Sequence, residues 1–109
     1  MKKFVIALLL SVSSLSSNAA YVENLEIERV QVTPSGGFLL FLNQEVHANC
    51  VTSGKDVVYV YPNQGNVTGE GIKSLLSIAL VGFTSNKKVA LHFDENSNEC
   101  WVQYITLDK

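Results

Sequence analysis

The sequence predicts a small, mostly β domain with one helix, closed by one disulfide and preceded by a secretory signal peptide. Three observations carry this reading. Apolar residues recur with period two through most of the chain and with a helical period only around residues 72–83. There are two cysteines, Cys50 and Cys100, in a chain whose N-terminus has the layout of an exported protein. Beyond that leader stand about 89 residues, enough for one domain with a modest core.

The leader occupies residues 1–20. Lys2 and Lys3 form a positive start, Phe4-Val5-Ile6-Ala7-Leu8-Leu9-Leu10 is an unbroken apolar run, and small residues at Ala19-Ala20 offer cleavage after either one. The apolar run is too short to span a bilayer, so no membrane span is expected after cleavage. No cysteine stands near the cut to carry a lipid. Residues 21–109 are then the single domain, exported to the periplasm or the medium. In that compartment a Cys50–Cys100 disulfide is the expected pairing, and closing a loop of this length stabilises the fold by about 4 kcal/mol.

Along the domain, Leu25 and Ile27 alternate with Glu26 and Glu28, and Val30 and Val32 alternate with Gln31. The phase slips by one residue at Glu28-Arg29, which predicts a bulge in one long, bent first strand. Thr33-Pro34-Ser35-Gly36-Gly37 reads as a turn. Phe38-Leu39-Leu40-Phe41-Leu42 reads as a second strand buried on both faces, and Val57-Val58-Tyr59-Val60-Tyr61 as a third, stopped by Pro62.

The helix follows a loop at 63–71. Ile72, Leu75, Leu76, Ala79, Leu80 and Phe83 form its apolar stripe, Thr68 is the expected N-cap with Glu70 in the first turn, and Asn86 suits a left-handed stop. Val89, Leu91 and Phe93 alternate in the next strand, 94–99 is an acidic turn, and 101–107 is the last strand. The order β-β-β-α-β-β, five strands with the helix between the third and fourth, is that of the OB-fold, a partly open Greek-key barrel.

Charge narrows the function. The segment after the leader keeps six of the eight basic residues and all ten acidic ones, a net charge of −4. Nucleic-acid binding is therefore not expected, since it needs clustered Lys and Arg. His47 with Cys50 and His92 with Cys100 contain the donor types of a zinc site, but their spacing fits no compact metal hairpin. Glu23, Glu26 and Glu28 read as a solvated strand face. No catalytic cluster, metal site or cofactor motif is expected, and the domain reads as a binding module rather than an enzyme.

Two features point to a partner. Tyr59 and Tyr61 share one side of the third strand, and Trp101 and Tyr104 stand on the last. Such rings either pack inward or form a stacking face, and on an acidic barrel the ligand of that face is a glycan or a protein rather than a nucleic acid. On the helix, Ile78 and Val81 lie opposite the main stripe beside Ser74 and Ser77. A helix apolar on two sides is either covered by the domain's own loops or packs against a neighbouring copy. On the second reading Ile78, Val81 and Ser74 form the oligomer interface.

The segment Ile72-Lys73-Ser74-Leu75-Leu76-Ser77-Ile78-Ala79-Leu80-Val81-Gly82-Phe83, running into Lys87-Lys88-Val89-Ala90-Leu91-His92-Phe93, resembles the helix and following strand of AB5-toxin B subunits of the subtilase-cytotoxin and pertussis-like group. It is also similar to small secreted proteins of Gram-negative bacteria with the same helix–strand–Cys layout. The resemblance covers about a third of the chain and departs from the group in having only one cysteine pair. It implies an OB-fold, a pentameric ring with the helices toward the pore, and binding to cell-surface glycans. It assigns no binding residue. The alternative is a monomeric periplasmic protein with a structural or stress-related role and no glycan site.

Overall fold

The computed structural model describes residues 19–108, so the expected leader lies outside the described residues except for Ala19 and Ala20. Six strands and one helix follow in the order β1 (Ala19–Leu25), β2 (Ile27–Val32), β3 (Phe38–Leu42), β4 (Val57–Val60), α1 (Gly71–Ser85), β5 (Val89–Asp94) and β6 (Val102–Leu107). They form two antiparallel three-stranded sheets, β1-β5-β6 and β2-β3-β4.

This corrects the expected five-stranded barrel in two respects. The long first strand is two strands, because the ladder is interrupted at Glu26 and the chain passes there from one sheet to the other. Asn24, at φ 62°, and a register shift between Val22 and Leu25 supply the bend. The predicted bulge is present as well, as a shift between Ile27 and Arg29. Nor does a continuous ladder close the second seam. There, β4 meets the β6 side through one parallel bridge, Tyr59 to Trp101, and through the Tyr59 N–H donating to the Glu99 carbonyl at 3.3 Å.

The core lies between the sheets and the helix. Phe38, Leu40 and Leu42 from β3, Val58 and Val60 from β4, and Leu91 and Phe93 from β5 fill it together with Leu25, Val89 and Val102. Leu39 is also buried, but on the outer side of β3 directly opposite Tyr59, so β3 is covered on both faces as its composition predicts. At the predicted turn the Thr33 amide and hydroxyl both donate to the Gly37 carbonyl. Gly37 admits no side chain, because a β-carbon would stand 2.6 Å from Tyr61 Cδ1.

Cys50 and Cys100 are bonded and fully buried, with α-carbons 5.4 Å apart. The bond ties the loop at 43–56 to the turn before β6. Backbone contacts from Val51 and Thr52 to the Asn98 carbonyl run alongside it.

Helix α1 packs against β2 and β6. Glu70 immediately before it is helical in backbone and makes no side-chain cap. Thr68 caps as predicted, its Oγ1 accepting from the Gly71 N–H at 2.9 Å. Asn86 ends the helix at φ 55° and donates its N–H to the Gly82 carbonyl. The apolar stripe needs correction at its C-terminal half. Ile72, Ala79 and Gly82 are buried, whereas Leu80 and Phe83 are exposed. There Gly82 takes the inward position against Val89 and the longer side chains lie to its sides. No helix among the described residues is long and apolar enough to cross a membrane.

Candidate functional site

Strand β4 alternates Val58 and Val60 inward with Tyr59 and Tyr61 outward. The bridge at Trp101 then brings the start of β6 beside them. The three rings converge: Tyr59–Tyr61 centroids are 5.9 Å apart, Tyr59–Trp101 5.8 Å and Tyr61–Trp101 5.6 Å. All three are half-buried, so each keeps part of its surface in water. The Tyr59 hydroxyl shares a hydrogen bond with Ser53 Oγ, which fixes its ring. On the same outer face the Arg29 guanidinium lies 4.7 Å over the Phe41 ring.

Tyr104 is placed elsewhere. It is 65 % exposed and packs edge-on against His92, 5.5 Å between centroids, and His92 packs in turn against Tyr21 at 4.4 Å. These three residues stand directly opposite one another across β1, β5 and β6. His92 is held between two rings, and its Nδ1 is buried with no hydrogen-bond partner among the described residues. The Tyr21 phenol is pushed above its ordinary pKa of 10.0, first by desolvation and then by Glu23, which accepts a hydrogen bond from its hydroxyl, with Asp108 adding to the effect.

Gln103 joins the two ring groups. The β5–β6 register shifts between His92 and Phe93: Phe93 pairs with Val102 and His92 with Tyr104, leaving Gln103 unpaired between them. This bulge turns three of four successive residues, Trp101, Gln103 and Tyr104, away from the core. The loop at 63–67 arches over them, and Gly65 at φ 62° comes close to Gln103 and Trp101. Gly65, Asn66, Gln103 and Tyr104 line a polar pocket of about 410 Å³. It adjoins a second cavity of about 370 Å³ between β6 and the helix, reached by Ser74, Leu75 and Ile78.

Sequence reasoning named Tyr59, Tyr61, Trp101 and Tyr104 for a ring face but not Gln103, Asn66 or Tyr21, and weighed His92 only as a zinc donor. The signal for Gln103 was present. Val102, Ile105 and Leu107 break the period of two, as the slip at Glu28 does in the first strand.

The expected interface residues lie in the open. Ile78, Val81 and Ser74 are exposed, and Ile78 and Val81 with Leu80 and Phe83 put four exposed apolar side chains on α1. Among the described residues no loop covers them. His47 pairs with Glu95 at 3.4 Å and packs on Phe93, bracing the loops around the disulfide. Both cysteine sulfurs are taken by the disulfide, which leaves none for the zinc site weighed from the sequence. Among the described residues no three His, Cys, Asp or Glu side chains gather as a metal would require.

No protein-family model matches the chain, and no curated protein matches it at a significant level.

Proposed function

We propose that this chain is an exported, non-enzymatic carbohydrate-binding module that assembles with copies of itself through α1. The observation that carries the first part is the union of an aromatic face with two amide side chains at the β6 bulge. A pyranose offers an apolar C–H face and a rim of hydroxyls. Half-exposed Tyr and Trp rings take the first, and Asn66 and Gln103, each with donors and an acceptor, take the second. Oligosaccharide binding, on the face of its second and third strands and the adjoining loops, is also a use of the OB-fold. What supports that architecture is the bridge from Tyr59 to Trp101 between the two sheets and the direct passage of the chain from β1 to β2 at Glu26. The resemblance of α1 and β5 to AB5-toxin B subunits points the same way.

Assembly rests on Ile78, Leu80, Val81 and Phe83, four exposed apolar side chains on one helix. They favour an oligomer over the monomeric structural role. Export rests on the leader-like N-terminus and agrees with the disulfide.

The test is a glycan array probed with the oxidised mature protein and with Trp101→Ala, beside light scattering after size exclusion. Binding by the wild type that Trp101→Ala loses supports the site, and a silent array ends it. A pentamer that Ile78→Asp dissociates supports assembly, and a clean monomer at micromolar concentration ends that part.

A further inference from the structure

We infer that the cleft between the turn at 33–37 and the first two turns of α1 is a separate ligand site, and that it takes one alkyl chain ending in a carboxylate. Phe38 and Ile72 form its buried floor, Leu76 and Pro62 its half-buried sides, and Val32, 62 % exposed, its rim. Glycine makes the room. Gly36 and Gly69 also line the cleft; a β-carbon at Gly36 would lie 3.9 Å from Pro62 Cγ, and one at Gly69 would meet nothing within 4 Å. The cleft shares no lining residue with the cavities beside Gln103, so its fate is separate from that of the carbohydrate reading.

Size and polarity set the chain. The cleft measures about 300 Å³ and its wall is almost wholly apolar. A cavity of about 150 Å³ holds one benzene ring, so this one has room for a single chain of roughly twelve carbons and not for a two-chain lipid. Small-molecule sites have this make-up, an apolar wall with a few polar groups that fix orientation.

Charge sets the head group. Lys73 is the one charged residue in the lining; it is exposed and has no ion pair among the described residues. A lysine so placed covers apolar wall with its stem and keeps its ammonium in water at the mouth. Glu70, just before the helix, is also exposed and is not part of the lining. The amino group that leader cleavage would create is remote, because no residue of β1, β5 or β6 lines the cleft, and Ala20 and Tyr21 pair with Phe93 and His92 in the other sheet. A carboxylate at the mouth therefore meets an unpaired cation, and a cationic head is repelled.

The test titrates laurate, below its micelle concentration, into the dilute, isotope-labelled, oxidised mature protein and follows the backbone amide resonances of Gly36, Gly37 and Gly69. Saturable shifts there are expected, with affinity falling about two- to four-fold for each methylene removed in decanoate and octanoate. Lys73→Met is expected to weaken laurate about two- to five-fold. Val32→Asp, on the exposed rim, is expected to abolish saturation in a protein of unchanged circular dichroism. Amides unmoved by laurate, or Val32→Asp binding as wild type does, overturn the site. Dodecyltrimethylammonium binding as tightly as laurate, or Lys73→Met equal to wild type, overturns the carboxylate class. Shifts of the same amides on dilution without laurate give the cleft to a second copy of the chain and overturn the alkyl ligand.

Discussion

Gln103 lies directly beneath Gly65: a β-carbon at residue 65 would stand 3.2 Å from Gln103 Cγ and 3.3 Å from Trp101 Cβ. The bulge in β6 supplies one half of this contact, and the left-handed backbone of Gly65 supplies the other. Gly65→Ala is therefore expected to cost about 1–2 kcal/mol, from the unfavourable φ together with the crowding. It should also weaken carbohydrate binding by displacing Gln103. Urea denaturation measures the first effect and calorimetric titration the second.

The disulfide is expected to matter more. Replacing Cys50 and Cys100 by Ser releases a loop closed over a sequence separation of 50, and the chain-entropy model puts that at about 4 kcal/mol. In a domain this size that is a large share of total stability. The comparison is the urea midpoint of wild type with and without reductant, alongside that of the double variant.

Gly82 brings α1 close to the sheet. A β-carbon there would meet Val89 Cγ1 at 2.9 Å, and Val89 is fully buried. Alanine gains about 1 kcal/mol of helix propensity over glycine, whereas overpacking a fixed core costs about 1–3 kcal/mol. Because Val89 is held in the β5 ladder, the second effect wins, and Gly82→Ala should lower the thermal midpoint by several degrees.

Lys88 and Glu26 form an ion pair of 2.5 Å at the point where the chain leaves one sheet for the other. Both side chains are about half exposed, so screening and lost side-chain entropy offset most of the attraction. Lys88→Met is expected to change stability by less than about 1 kcal/mol, with the shift shrinking further in added salt.

The Tyr21 phenol makes stability depend on alkaline pH. Its folded pKa is raised, so above the ordinary value of 10.0 the folded chain keeps a proton that the unfolded chain has lost. Stability is thus unaffected at neutral pH and falls as pH rises through the folded value. Tyr21→Phe should remove that part of the loss, visible in urea midpoints compared from about pH 8 to about pH 11.

Much of this was legible in the residues. The turn at Thr33–Gly37, the doubly buried Phe38–Leu42, the Thr68 cap, the Asn86 stop and the cysteine pair each follow from local chemistry, and each is present. The split of the first strand at Glu26 was not legible, because alternation reports which face a residue takes and not which sheet it joins. Leu80 and Phe83 misled for a related reason. Helical periodicity marks a broad face, but which residues of it turn inward is decided by the tertiary fold, and here Ala79 and Gly82 take those places. The ring groups were half legible: Tyr59 and Tyr61 are two apart on one strand, while the meeting of Tyr21 with His92 depends on pairing between distant strands.

Trp101 is the only tryptophan in the chain, so its fluorescence reports on the proposed site directly. The decisive measurement is titration of the oxidised mature protein with the oligosaccharide that the glycan array retains, read as Trp101 emission. A saturable change that Gln103→Ala weakens, in a protein of unchanged circular dichroism, is the expected result. Emission unmoved by an oligosaccharide that the protein still retains would place binding elsewhere and contradict the account.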